Sequence, residues 1–196
     1  MTNVVVPLAD GVEEMEAVIA VDVMRRAEWD VVVAGLRDGV VIAARGTQLL
    51  PDCLLGDLDR DLFDMIVIPG GTGGVERLCR SELLGEWIVD FSEQGKRLAA
   101  ICAGPKVLYD AGVLAGRRCT CYPGLERDMP DAQWVDEPFA ADDGFFTARA
   151  AGTSFLFALR LVELVDGYEK AARIAKNMCC DLAPHEGPIP VHLARK

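Results

Sequence analysis

Histidine is nearly missing from this chain: only His185 and His192 occur, both near the C-terminus. A Cys-His or Ser-His nucleophilic site would therefore have to recruit one of these two residues across the fold. Basic residues are also in deficit, with 20 Lys plus Arg against 31 Asp plus Glu and a net charge of −11. That balance disfavours sequence-independent attachment to nucleic acid or to an anionic membrane, and leaves a small neutral or electrophilic substrate as the better fit. The apolar runs fall well short of the roughly 20 residues a membrane helix needs. No basic segment with a cleavage site precedes the first apolar run, and the seven cysteines are odd in number. A secreted disulfide scaffold is thus not expected, and the sequence predicts free thiols in a reducing cytoplasm. Cys119-x-Cys121 and Cys179-Cys180 lack the paired C-x-x-C spacing of a zinc site, so no metal is expected.

What is present is a globular composition, 51% hydrophobic and 26% charged over 196 residues. This predicts a single domain spanning 1–196, with an irregular tail from about residue 181. Val4 to Leu8 is a continuous apolar run, the mark of a strand buried on both faces of a parallel sheet. Apolar residues then recur at helical spacing from Val12 to Arg26 (Met15, Ile19, Val23). Strands are expected at 29–34, 64–68, 98–101, 118–122 and 145–149, with a ribbon excursion at 40–44 and a loop with a short hairpin across 123–143. Helices are expected at 83–91, from Cys102 to about Tyr109, at 153–165 and at 169–179. The alternation predicts an open, mainly parallel α/β sandwich, in which ligands sit beyond the carboxyl ends of the strands. Three segments arrive there: Gly11 to Glu16, Pro69 to Gly74, and Cys102 to Gly104.

The glycine-rich run Gly70 to Gly74 satisfies neither G-x-G-x-x-G nor G-x-x-x-x-G-K-[ST], so it predicts no nucleotide cofactor. It reads either as a tight turn or as a set of backbone donors open to an anion. Cys102 follows an apolar strand and precedes a helix, the position of a nucleophile elbow. The helix start should lower its thiol pKa, although a lone cysteine there also reads as a small buried hydrophobe. Glu13, Glu14 and Glu16 open the first helix, and spacing alone does not choose which, if any, points inward. A carboxyl held near a thiolate and away from water would stay protonated and donate to sulfur.

Four motifs in register, Gly11-Val-Glu-Glu-Met-Glu16, Pro69-Gly-Gly71, Ala99-Ala-Ile-Cys-Ala-Gly-Pro105 and Gly152-Thr-Ser-Phe155, resemble the DJ-1/ThiJ branch of the DJ-1/PfpI superfamily from about residue 3 to 175. The resemblance implies a flavodoxin-like three-layer sandwich and a homodimer. It also implies a reactive cysteine at Cys102, a protonated glutamate at Glu16, and backbone anion donors at Gly71 and Ala103. It further implies cofactor-independent action on a small reactive carbonyl, either methylglyoxal conversion to lactate or removal of glyoxal adducts, in carbonyl and oxidative stress defence. The alternative role it implies is a redox sensor or chaperone whose Cys102 is oxidised to sulfinate. An isonitrile hydratase branch uses the same elbow, but the Glu16 context speaks against it. Two departures stand out. Tyr122-Pro123 occupies the place where many members carry His-Pro, and a phenol shuttles protons less well than imidazole at neutral pH, so slow glyoxalase turnover is expected. Leu50 replaces a cysteine found at the dimer contact of animal members, and the C-terminal tail diverges from theirs.

Overall fold

The computed structural model describes residues 1–183; His185, His192 and the 184–190 stretch lie outside them. In chain order the strands are β1 (Asn3–Leu8), β2 (Asp30–Gly35), β3 (Val41–Ile42), β4 (Gln48–Leu49), β5 (Cys53–Leu54), β6 (Met65–Ile68), β7 (Arg97–Ile101), β8 (Arg118–Cys119), β9 (Gln133–Trp134), β10 (Phe139–Asp142) and β11 (Phe145–Ala148). The helices are α1 (Glu14–Arg26), α2 (Thr72–Cys79), α3 (Glu82–Glu93), α4 (Pro105–Asp110), α5 (Ser154–Asp166) and α6 (Tyr168–Asn177).

Seven strands form one sheet in the order β10-β11-β7-β6-β1-β2-β5. Every neighbouring pair is parallel except the β10-β11 hairpin at one edge. Alternation along β1 shows how this sequence builds three layers. Val4, Val6 and Leu8 pack into one cluster with α1, α5 and α6, while Val5 packs into a second with α3 and α4. Successive side chains of a strand point to opposite faces, so an unbroken valine run is what a sheet covered on both sides requires. Phe146 and Phe157 lie fully buried in the first cluster, and truncating either to Ala would cost about 3–5 kcal/mol.

Several elements depart from expectation. The glycine-rich stretch after β6 is not merely a break, because α2 begins at Thr72 and Gly73 and Gly74 are helical. Low helix propensity is overridden by a close approach of two backbones: a Cβ on Gly74 would lie 2.8 Å from the Val12 nitrogen. The strand anticipated at 118–122 is ordered only at Arg118–Cys119, where it pairs with β9 rather than with the main sheet. The edge strand β5, two residues long, has too little pattern to be seen in advance. The 40–44 excursion pairs as the β3-β4 ribbon, and the hairpin is β10-β11. The chain leaves β1 toward β2 on one side and returns to β6 on the other, so the sheet reverses its winding between β1 and β6. A crevice opens at the carboxyl ends of strands where the order reverses in this way.

Candidate active site

The loops after β1, β6 and β7 meet at that reversal. Gly71 takes φ 90° and precedes α2, which a residue bearing a Cβ adopts only with strain. Its missing side chain is also a packing necessity, since a Cβ there would run into the Gly11 carbonyl oxygen and the Glu13 nitrogen. The two loops are tied by the Glu13 N–H donating to the Gly70 carbonyl at 2.9 Å. Gly70 itself is wedged tightly: a Cβ on it would sit 2.6 Å from Glu16 Oε2, 2.8 Å from Cys102 Cβ and 2.9 Å from the Ala103 nitrogen.

Cys102 adopts φ 63°, a left-handed conformation that non-glycine residues reach at a cost of about 1–3 kcal/mol. Hydrogen bonds on both sides hold the elbow there. The Cys102 N–H donates to the Ala148 carbonyl at 2.9 Å, and the Cys102 carbonyl accepts from the Tyr122 N–H at 2.8 Å. The backbone amides of Gly71 and Ala103 are directed at the Cys102 sulfur and favour its ionised form.

Of the three glutamates at the start of α1, Glu16 is the one that points inward. It is completely buried, whereas Glu13 and Glu14 are partly open to solvent. Glu16 Oε2 accepts the Gly70 N–H at 2.6 Å. Oε1 is buried with no hydrogen-bond partner of standard geometry, beside the Cys102 thiol. Burial lifts the Glu16 carboxyl to about 7, with the charge of Glu13 adding to the lift and the Cys102 and Gly70 hydrogen bonds opposing it.

The expectation of an acidified Cys102 thiol needs correction. Burial, reinforced by the negative charge of Glu16, pushes the thiol up to about 12, against the pull of the Ala103 and Gly71 amides. The helix start invoked in its favour is short, since α4 begins only at Pro105 and spans six residues. Part of the upward push disappears once Glu16 carries a proton, because a neutral carboxyl no longer repels a thiolate and can donate to it. Cys102 and Glu16 are therefore coupled, and their protons come off in two steps that belong to the pair.

A cleft of about 470 Å³ opens over Cys102, lined in part by Gly71, Cys102, Ala103 and Tyr122. The structure thus brings together Cys102, Glu16, Gly71, Ala103 and Tyr122. The Tyr122 side chain is 54% exposed, at the wall of the cleft and not within its closed floor. Sequence reasoning missed the wedge role of Gly70, which no residue pattern signals, and the charged walls formed by Arg45, Glu76, Lys106 and Asp128. Among the described residues no His, Cys, Asp and Glu cluster could hold a metal ion, and no helix is long and apolar enough to cross a membrane.

An α/β sandwich with a cysteine at a strained strand-to-helix elbow, backed by a buried carboxyl and two backbone donors, defines a class of cysteine-centred sites, and no histidine stands among the described residues. Comparison with known proteins agrees with that class and narrows it. The DJ-1/PfpI family model matches residues 2–164, and the chain belongs to this family. Protein dj-1beta of Drosophila melanogaster is 40% identical over 179 residues, covering 90% of this chain and 96% of that protein. Its crystal structure superimposes with a TM-score of 0.89 at 38% identity, covering 92% of this chain and 99% of that one. Glutathione-independent glyoxalase DJR-1.2 of Caenorhabditis elegans is 34% identical over 172 residues, 87% of this chain and 91% of that protein. Protein DJ-1 homolog B of Arabidopsis thaliana is 38% identical over 176 residues, 89% of this chain, which spans only 40% of that longer protein.

Proposed function

We propose that this protein is a cofactor-independent cysteine enzyme that acts on 2-oxoaldehydes such as methylglyoxal, or on their adducts, in a reducing cytoplasm. The observation that carries the reading is the buried Oε1 of Glu16, without a standard partner, beside a cysteine whose sulfur faces two backbone amides. A carboxyl raised by burial to about 7 and set against a thiol can hold or release a proton near neutral pH, which is what a proton-transfer role requires.

In the first step the Cys102 sulfur adds to the aldehyde carbon, and the carbonyl oxygen takes up the charge. The Gly71 and Ala103 amides would hold that oxyanion until a proton from Glu16 converts it to the hydroxyl of a hemithioacetal. The ionised Glu16 then removes the proton from the former aldehyde carbon, giving an enediolate whose charge sits on the former ketone oxygen. Glu16 returns that proton to the neighbouring carbon while the hydroxyl proton of the first carbon passes to the former ketone oxygen, which leaves a thioester, and water attacking the thioester carbonyl releases lactate and restores the thiol. Atoms balance with one water added overall, and no external oxidant is needed, because the aldehyde carbon is oxidised as the ketone carbon is reduced. That the glutathione-independent glyoxalase DJR-1.2 is a relative supports this reaction class.

A second reading has support from the same geometry. The two amides and a protonated Glu16 suit a sulfinate on Cys102 as well as an oxyanion, which is what a redox sensor would require. We also propose a homodimer, since Met15, Val18 and Leu50 are apolar and more than half exposed. The deciding experiment is lactate formation from methylglyoxal by the purified full chain and by Cys102→Ser. Turnover in the first and none in the second supports the enzyme reading; no lactate from either, with sulfinate formed at Cys102 under mild peroxide, supports the sensor.

A further inference from the structure

Three charged side chains tie together the loops that carry Glu16 and Gly71, although none of the three lines the cleft. The Asp10 carboxylate, just past β1, receives Arg37 in a two-pronged pair, with Nε 3.0 Å from Oδ2 and Nη2 2.9 Å from Oδ1. It also accepts the Ile42 N–H at 2.8 Å. The Asp10 carbonyl oxygen accepts Arg77 Nη1 at 3.1 Å, and the same nitrogen donates to the Gly73 carbonyl at 2.7 Å. Arg77 thus bridges the loop after β1 to the first turn of α2, while Arg37 and Ile42 bind that loop to the β3-β4 ribbon. Where the two loops cross their backbones touch: a Cβ on Gly11 would lie 2.9 Å from the Gly73 carbonyl carbon. A paired guanidinium and carboxylate fix direction as well as distance. The Ile42 N–H and the Arg37 guanidinium hold the Asp10 carboxyl below its ordinary value, so these links stay charged across the range in which Glu16 titrates.

The seal over Glu16 is made of the same two loops. Gly70 is pressed between Glu16 Oε2 and Cys102 Cβ, and the Glu13 N–H holds its carbonyl to the loop after β1. We propose that Asp10, Arg37 and Arg77 are positioning residues, a clasp behind the cleft that keeps water from Glu16 and sets the Gly71 amide against Cys102. The ionisable groups that act directly on the Glu16 carboxyl are Cys102 and Glu13, and no member of the clasp is among them. Its influence therefore runs through geometry, and has a sign that charge alone would not give. Removing the positive charge of Arg77 would by itself favour the protonated carboxyl, whereas parting the loops admits water and favours the ionised one. The proposal rests on the proton-donor role given to Glu16 in the preceding section.

The test is an infrared pH titration of the full chain at roughly 0.5 M salt, where direct effects of distant charges are screened. The carbonyl band of the protonated Glu16 carboxyl is identified by its loss in Glu16→Gln, and its midpoint in the wild type should lie at about 7. In Arg77→Met the midpoint should fall toward 4.5 by roughly one pH unit, and in the near-isosteric Asp10→Asn it should fall by less. A merely structural clasp would lower Tm and leave the midpoint where it was. An unchanged or raised midpoint in either variant that folds overturns the proposal, and should Arg77→Met fail to fold, Asp10→Asn decides alone. A wild type lacking the band would remove the proton-donor reading and the clasp's role with it, whereas a band that is present and unmoved removes only the clasp.

Discussion

Replacing Glu16 by Gln tests the central electrostatic feature of the site through stability, independently of any substrate. The carboxyl ordinarily titrates at 4.5 and in the fold at about 7, with burial the largest cause. Its folded pKa is raised, so between those two values the native chain binds the proton more tightly than the unfolded chain does. Stability from this group is therefore fully present below about pH 4.5 and is lost as the pH rises through about 7. The difference corresponds to about 3 kcal/mol between the two limits. An amide has no such titration, can keep the acceptor for the Gly70 N–H, and offers a permanent N–H toward sulfur. The variant should therefore gain on the wild type as the pH is raised from 4.5 to 8, by up to about 3 kcal/mol, or roughly 6–12 °C in Tm for a chain of this length. Paired thermal melts of the two proteins across that range are the assay, and taking their difference cancels the titration of groups remote from Glu16. A constant Tm difference would mean that Glu16 titrates alike in the folded and unfolded chain, and the buried proton donor would have to be abandoned.

Gly70→Ala places a methyl 2.6 Å from Glu16 Oε2 and 2.8 Å from Cys102 Cβ, so it should lower stability by about 1–3 kcal/mol in urea titrations and reduce the alkylation rate at Cys102; wild-type values for both would show that the loops part easily. Tyr122→His should raise lactate formation from methylglyoxal by about 10²-fold, because an imidazole can both give and accept a proton at neutral pH; an unchanged rate at matched circular dichroism would mean that this wall of the cleft does not reach the reacting carbons.

Much of the architecture can be read from local pattern. A valine run that alternates between two apolar layers, a helix with apolar residues at Ile19 and Val23, and a cysteine between an apolar strand and Pro105 each declare themselves within about ten residues. That is the range over which backbone geometry and side-chain periodicity act. The same pattern placed the three loops at one end of the sheet and singled out Cys102. It did not choose among Glu13, Glu14 and Glu16, because a helix turn presents all three in similar local surroundings. The choice is made by Gly70, 54 positions from Glu16, whose N–H takes the carboxylate oxygen and whose missing side chain leaves room for it. The thiol was misjudged for a related reason: a strand-to-helix turn is visible in sequence, but the desolvation that outweighs it comes from layers closed over the site by distant residues. The charged walls were hidden similarly, since Arg45, Glu76, Lys106 and Asp128 lie in separate segments and line one cleft only after folding. Sequence determined which groups were available and the local turns that carry them. Tertiary structure decided which carboxyl lost its water and which charges faced one another, because burial and Coulomb interaction depend on distance in space and not along the chain.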